Sequence, residues 1–241
     1  MALPMMNAPI YNLVIPSTKM SVKYRPFLVK EEKSLLIAQQ SEDLTVMVDT
    51  LKSVINSCII DKIDVDTLAS FDIEYLFTQI RAKSVGETIE LLFPCDMDHG
   101  EEDNDKARVK ITIDLTQLQV EVPEGHTSKI DLFGDVGIVM KYPSISIMKR
   151  LEGLEENDID KIFSVIADSI DYIYQGDEIF HSKEQKPEEL LQFLNNLNSE
   201  QFMKVQKFFS SMPRIKKEVE YTCPVCSREH KKVLEGMQSF F

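Results

Sequence analysis

Apolar residues recur along the chain in two rhythms, and the changes of rhythm divide it. Between residues 30 and 58 the spacing is helical, with Leu44, Met47, Val48, Leu51, Val54, Ile55 and Cys58 on one stripe. Glu31 and Glu32 stand in the first turn, where carboxylates complement the helix dipole. This predicts one long helix over 30–58, with Cys58 as a small buried apolar residue. A second helix is expected over 72–83, with Asp72 as its N-cap and Tyr75, Leu76 and Ile80 on its apolar face.

The rhythm then shortens to two. Residues 87–95 (ETIELLFPC) read as a strand, followed by an acidic tip, DMDHGEEDNDK. In the return segment RVKITIDL, Val109, Ile111, Ile113 and Leu115 alternate with polar residues, as in a half-buried strand. The two strands predict a hairpin with a long polar tip. LQVEVP and FGDVGIVMKYP look like further strands, the second interrupted by Gly134 and Gly137.

Residues 144–212 return to helical spacing. Ser144 caps a short helix, and Asp158 opens one covering Ile162, Phe163, Val165, Ile166 and Ile170. Pro187 suits the first turn of a helix carrying Leu190, Leu191 and Leu194. Ser199 starts another, with Phe202, Val205, Phe208 and Phe209 facing inward. IKKEVEYT (215–222) is a strand leading into Cys223-Pro224-Val225-Cys226, and Lys231–Leu234 is its return.

The fold class this implies is α+β. A helical body carries two β-hairpins, zinc-ribbon-like knuckles, brought together from the middle and the C-terminus of the chain. Residues 1–28, with Pro4, Pro9, Pro16 and Pro26, read as an extended arm, because each proline biases its predecessor toward extended geometry. Residues 29–241 read as a single α+β domain: 29–85 helical, 86–142 β-rich with the first hairpin, 143–212 helical, and 213–241 the second hairpin.

Charge narrows the function. Net charge is −13, which opposes nonspecific binding to nucleic acid or to an anionic membrane, since that affinity comes from Lys and Arg neutralising phosphates. No apolar run reaches bilayer-spanning length, and the proline-broken first residues do not read as a signal peptide. A reduced compartment is therefore expected, where paired cysteines more often hold metal than form disulfides.

Cys223-x-x-Cys226 on a tight turn can aim two thiolates at one ion, but a closed structural zinc site needs four ligands. The first hairpin offers the others. Cys95 ends its first strand and His99 follows in the tip, in a layout related to that of the second hairpin. Cys95, His99, Cys223 and Cys226 therefore form the candidate structural zinc site, with Asp98 and His230 as alternative ligands. The acidic tip lacks EF-hand spacing and reads as solvated.

Enzyme signatures are absent: there is no Walker loop, dinucleotide fingerprint or nucleophile elbow. His126 and His181 lie in polar stretches and are expected to face solvent. The residues thus favour a non-enzymatic protein without a small-molecule substrate.

Four blocks carry a family resemblance: YNLVIPSTK (11–19), RPFLVKEEKSLLIA (25–38), FDIEYLFTQIRAKSVGETIEL (71–91) and IKKEVEYTCPVCSREHKKVLEGMQSFF (215–241). Together they resemble the baseplate hub and hub-assembly proteins of T-even-type contractile-tailed phages, across essentially the whole chain. The resemblance implies a phage protein working in the host cytoplasm during infection, or resident in the virion tail baseplate. Its implied partners are hub or tape-measure proteins. The first reading is a chaperone-like assembly factor for the hub, and the alternative is a permanent structural subunit. A third reading, a zinc-ribbon regulator binding nucleic acid or polymerase, is opposed by the acidic balance. Many relatives look to have a full CxxC on the first hairpin. Here its counterpart is Cys95-Asp96-Met97-Asp98-His99, so His99 or Asp98 must replace the second thiolate.

Overall fold

In a computed structural model, residues 8–41, 43–148 and 159–240 are described. They form a mixed helix-and-sheet structure whose sheets are small and antiparallel. Residues 1–7 of the expected arm and Asp158, expected to open a helix, lie outside the described residues.

Residues 11–24, expected to be extended, instead fold back on themselves. Strands β1 (Tyr11–Val14) and β2 (Ser21–Tyr24) pair antiparallel. The alternation of β2 buries Val22 and Tyr24, and Ile15 in the turn is fully buried. This hairpin is therefore part of a core. It lies on α2 (Leu44–Cys58) and α3 (Ser70–Ser84), which supply Leu51, Val54, Ile55, Cys58, Ile73, Leu76 and Ile80.

The single helix expected over 30–58 is two: α1 (Val29–Gln40) and α2. The break is set by two short polar side chains. Ser41 Oγ donates to Ala38 O at 2.7 Å, and Asp43 Oδ1 accepts from Thr45 N at 2.8 Å, which makes Asp43 the N-cap of α2. Glu31 does sit in the first turn of α1, reaching back to Leu28 N at 2.8 Å and pairing with Arg25 at 2.9 Å.

Helix α3 is buried on nearly every side, including Phe71, Thr78, Gln79 and Ala82. It begins two residues earlier than expected, so Asp72 is not its N-cap but lies inside the first turn. There its carboxylate accepts from Ala69 N at 3.3 Å and from Ser17 N at 2.9 Å.

The two expected hairpins form. Strands β3 (Thr88–Phe93) and β4 (Val109–Asp114) pair with Phe93 opposite Val109, and the tip between them carries a single turn, α4 (Glu101–Asn104). β5 is only Val120–Glu121. It edges a sheet ordered β11-β10-β5, in which β10 (Arg214–Thr222) and β11 (Glu229–Glu235) pair with Tyr221 opposite His230. The hairpins share a core of Phe93, Ile113, Leu115, Leu118, Ile215, Val219, Tyr221 and Phe240.

The remaining core is a four-stranded meander under helices. β6 (Lys129–Phe133), β7 (Val136–Met140), β8 (Ile170–Gln175) and β9 (Glu178–His181) lie in sequence order. After the short α5 (Ile145–Met148), helices α6 (Ile159–Asp168), α7 (Pro187–Asn195) and α8 (Ser199–Ser210) cover the sheet, with Val205 and Phe208 inside. Residues 144–212 are therefore not all helical. Ile170 leaves α6 and starts β8, and the hairpin β8–β9 turns at Gly176-Asp177, where Gly176 has φ +58°. No helix among the described residues is long and apolar enough to cross a membrane.

Candidate metal centre

Each hairpin delivers its tip to the same point. Tyr221 joins them: its ring lies 5.4 Å from that of Phe93, and its hydroxyl donates to Pro94 O at 2.8 Å. Pro94 leads directly into Cys95, so this bond fixes where that thiol starts.

On the second hairpin, Cys223-Pro224-Val225-Cys226 forms a tight knuckle. Cys223 N donates to Arg228 O at 2.8 Å and Ser227 N donates to Cys223 O at 2.9 Å. The turn requires Ser227 to adopt φ +58°, a left-handed conformation. It aims the Val225 and Cys226 N–H groups at the Cys223 sulfur. Burial pushes that thiol up, but these N–H groups and the neighbouring thiols outweigh it and hold Cys223 at about 7.

On the first hairpin the acidic tip is shaped by Asp98. Its Oδ1 accepts from Gly100 N at 2.9 Å and Asn104 Nδ2 at 3.1 Å, while Asn104 Oδ1 accepts from His99 N at 2.9 Å. Asp98, an alternative ligand by sequence, is thus occupied in folding the loop that presents His99.

The ligand atoms of Cys95, His99, Cys223 and Cys226 all lie within 4.8 Å of one another. Cys95 Sγ is 3.8 Å from Cys226 Sγ, and Cys223 Sγ is 3.6 Å from His99 Nε2. A tetrahedron with arms of about 2.3 Å to sulfur and 2.0–2.1 Å to nitrogen has S···S edges of about 3.8 Å and S···N edges of about 3.6 Å. These two edges therefore have the length that a four-coordinate ion requires. Three thiolates and an imidazole are a donor set suited to a borderline-soft divalent ion.

His230, the other alternative, sits beside the four. Its Nε2 is 3.2 Å from Cys95 Sγ and its Nδ1 is 3.3 Å from Asp96 Oδ2. The ring is buried and stacks on Tyr221 at 5.0 Å between centroids. Cys58, the remaining cysteine, is fully buried far along α2, and burial raises its thiol to about 11.

Both histidines expected to face solvent are half-buried. The His126 ring packs in a cluster with those of Tyr142 and Phe208, with Nδ1 2.9 Å from Ser211 Oγ and Nε2 2.9 Å from Tyr142 Oη. Its polar neighbours in sequence hid these partners, which arrive from residues 142 to 211. His181 packs edge-on against Tyr172.

A small-sheet α+β protein whose hairpin tips converge on a cysteine–histidine cluster defines a class only broadly. Residues 8–241 match the family described as T4 bacteriophage base plate protein, and the chain belongs to that family. No curated protein and no solved structure gives a significant match.

Proposed function

We propose that this baseplate-family protein is a non-enzymatic, chaperone-like assembly factor of the tail baseplate hub. It acts on hub or tape-measure proteins in the host cytoplasm, without binding nucleic acid. The observation that carries the reading is an open apolar groove of about 490 Å³ among α1, α2 and α3, lined by Phe27, Leu35, Leu36, Met47, Leu51 and Phe77. Within its lining Leu36 and Val85 are 55% and 59% exposed. A contiguous apolar surface of this kind is characteristic of protein interfaces.

The second reading, a permanent subunit of the baseplate, is favoured by the family's own description as a base plate protein. Quantitative mass spectrometry of purified, DNA-filled particles against infected-cell lysate separates the two. Abundance in the lysate with loss from the particle supports the assembly factor. A fixed ratio to tail proteins in the particle overturns it in favour of the subunit.

We further read Cys95, His99, Cys223 and Cys226 as a closed structural zinc site, which makes the hairpins a zinc-ribbon-like pair. The edge lengths and the donor set support this. Such a site leaves no open coordination position, so its role is to hold the two tips together. Residues 29–241 then act as one α+β unit, a reading supported by Glu74 on α3 accepting from Met237 N at 3.1 Å. Purified protein should carry about one zinc per chain; well under one, with melting unchanged by chelator, overturns the zinc reading.

A further inference from the structure

We propose that His230 is an outer-sphere partner of the metal, donating an Nε2–H hydrogen bond to the Cys95 sulfur. The inference rests on the zinc reading of the four-residue cluster and assigns a role to a fifth residue outside it.

The geometry fits a donor to sulfur. Nε2 lies 3.2 Å from Cys95 Sγ, inside the range for a hydrogen bond to sulfur, and His230 is not among the four residues whose ligand atoms converge. A metal would hold Cys95 as a thiolate, which can only accept, so the proton between the two atoms sits on Nε2. The ring cannot swing away, because it is buried and stacked on Tyr221, itself tied to Pro94.

Three thiolates around one divalent ion leave the centre negatively charged. An N–H bond to one sulfur draws off part of that charge and lowers the tendency of the thiolate to leave the ion or to react. Cys95 needs this more than Cys223, whose sulfur receives backbone N–H groups of its own knuckle. Cys95 receives one, from Met97 N at 3.5 Å. His230 therefore compensates the first hairpin for lacking the N–H-rich turn of the second. Removal of such outer-shell partners typically costs 10–100-fold in metal affinity.

The test is chelator competition for zinc, together with cobalt(II) absorption, on the full-length protein and on His230→Phe and His230→Gln. Phe keeps the stack on Tyr221 but has no donor, whereas Gln restores one N–H. The expected result is a loss of about 10–100-fold in zinc affinity for His230→Phe. Its thiolate-to-cobalt charge-transfer band should move, and the metal-free protein should melt unchanged. His230→Gln should recover part of the affinity. Zinc bound by the unsubstituted protein, with His230→Phe within about twofold and its cobalt spectrum unmoved, overturns the inference while leaving the zinc site standing. Equal destabilisation of the metal-free and metal-loaded forms by His230→Phe also overturns it, since that marks a packing role. No zinc bound by the unsubstituted protein overturns both.

Discussion

The Asp72 carboxylate accepts hydrogen bonds from both the backbone N–H and the hydroxyl of Ser17, 55 residues upstream. One buried side chain thereby fastens the β1–β2 hairpin to the first turn of α3. Burial raises the Asp72 carboxyl, and the bonds from Ser17 and Ala69 only partly offset this. Asp72→Ala strands the buried Ala69 N–H and releases the part-buried donors of Ser17, and a stranded buried donor costs about 1–3 kcal/mol. The expected loss is about 2–3 kcal/mol of unfolding free energy by urea titration, with Asp72→Asn losing less because its carbonyl still accepts. Unchanged stability in Asp72→Ala would remove the fastening role.

The pH dependence has a legible contributor in His126. Burial depresses its pKa below the ordinary 6.5, because the half-buried ring loses the water that would solvate its charged form. A group whose folded pKa is depressed lends stability that is fully present above its unfolded pKa. That stability is lost as pH falls through the folded value. The melting temperature of the wild type should therefore drop more between pH 7.5 and 5 than that of His126→Gln. Parallel curves for the two proteins over that range would contradict this assignment.

Gly137 in β7 has ordinary strand geometry, so its requirement is space. A Cβ there would stand 2.1 Å from Tyr174 Oη and 2.6 Å from Ile130 O. Neither neighbour yields easily: the Tyr174 hydroxyl is bonded to Asp131, and Ile130 belongs to the paired strand β6. Gly137→Ala should cost about 1–3 kcal/mol, and it should cost less in a Tyr174→Ala background, because the Tyr174 ring carbon Cζ, 2.3 Å from the added Cβ, is withdrawn together with the hydroxyl. Thermal melts of the single and double variants measure both; a wild-type melt for Gly137→Ala would disprove the clash.

The zinc reading predicts a metal-dependent part of stability. Zinc at 1,000 times its dissociation constant adds about 4 kcal/mol, which for a chain of this length is a rise of about 10 °C in Tm. Chelation should remove that rise from the wild type and from Cys58→Ser, whereas Cys226→Ser should show no metal-dependent rise at all. A zinc-dependent rise surviving in Cys226→Ser would exclude that thiol from the site.

What could be read from the sequence was whatever depended on local order. The alternation of Val109, Ile111 and Ile113, and the paired layouts around Cys95 and Cys223, identified the two hairpins and the four residues that meet. Pro187 and Ser199 likewise marked helix starts that the structure keeps. What stayed hidden depended on competition or distance. Asp43 and Ser41 broke an otherwise continuous helical stripe because short polar side chains bind backbone groups better than the helix does. The strand at Ile170–Gln175 shares its first isoleucine with a helical pattern, and only its aromatic and β-branched content with Gly176-Asp177 distinguished it. His126 gains its meaning from partners far along the chain, where no spacing rule reaches.

The two hairpins leave the ribosome far apart in time. Cys95 and His99 are made well before Cys223 and Cys226, and at about 5–20 residues per second the first tip waits on the order of 10 s for the second. During that interval it offers a metal one sulfur and one imidazole. The groove wall at Met237 and Gln238 is made later still. Closure of the tips therefore waits for Cys223 and Cys226, and a chain interrupted before them lacks the second tip and the groove wall. The long reach of this one contact turns the finished fold into a record that translation has passed Cys226.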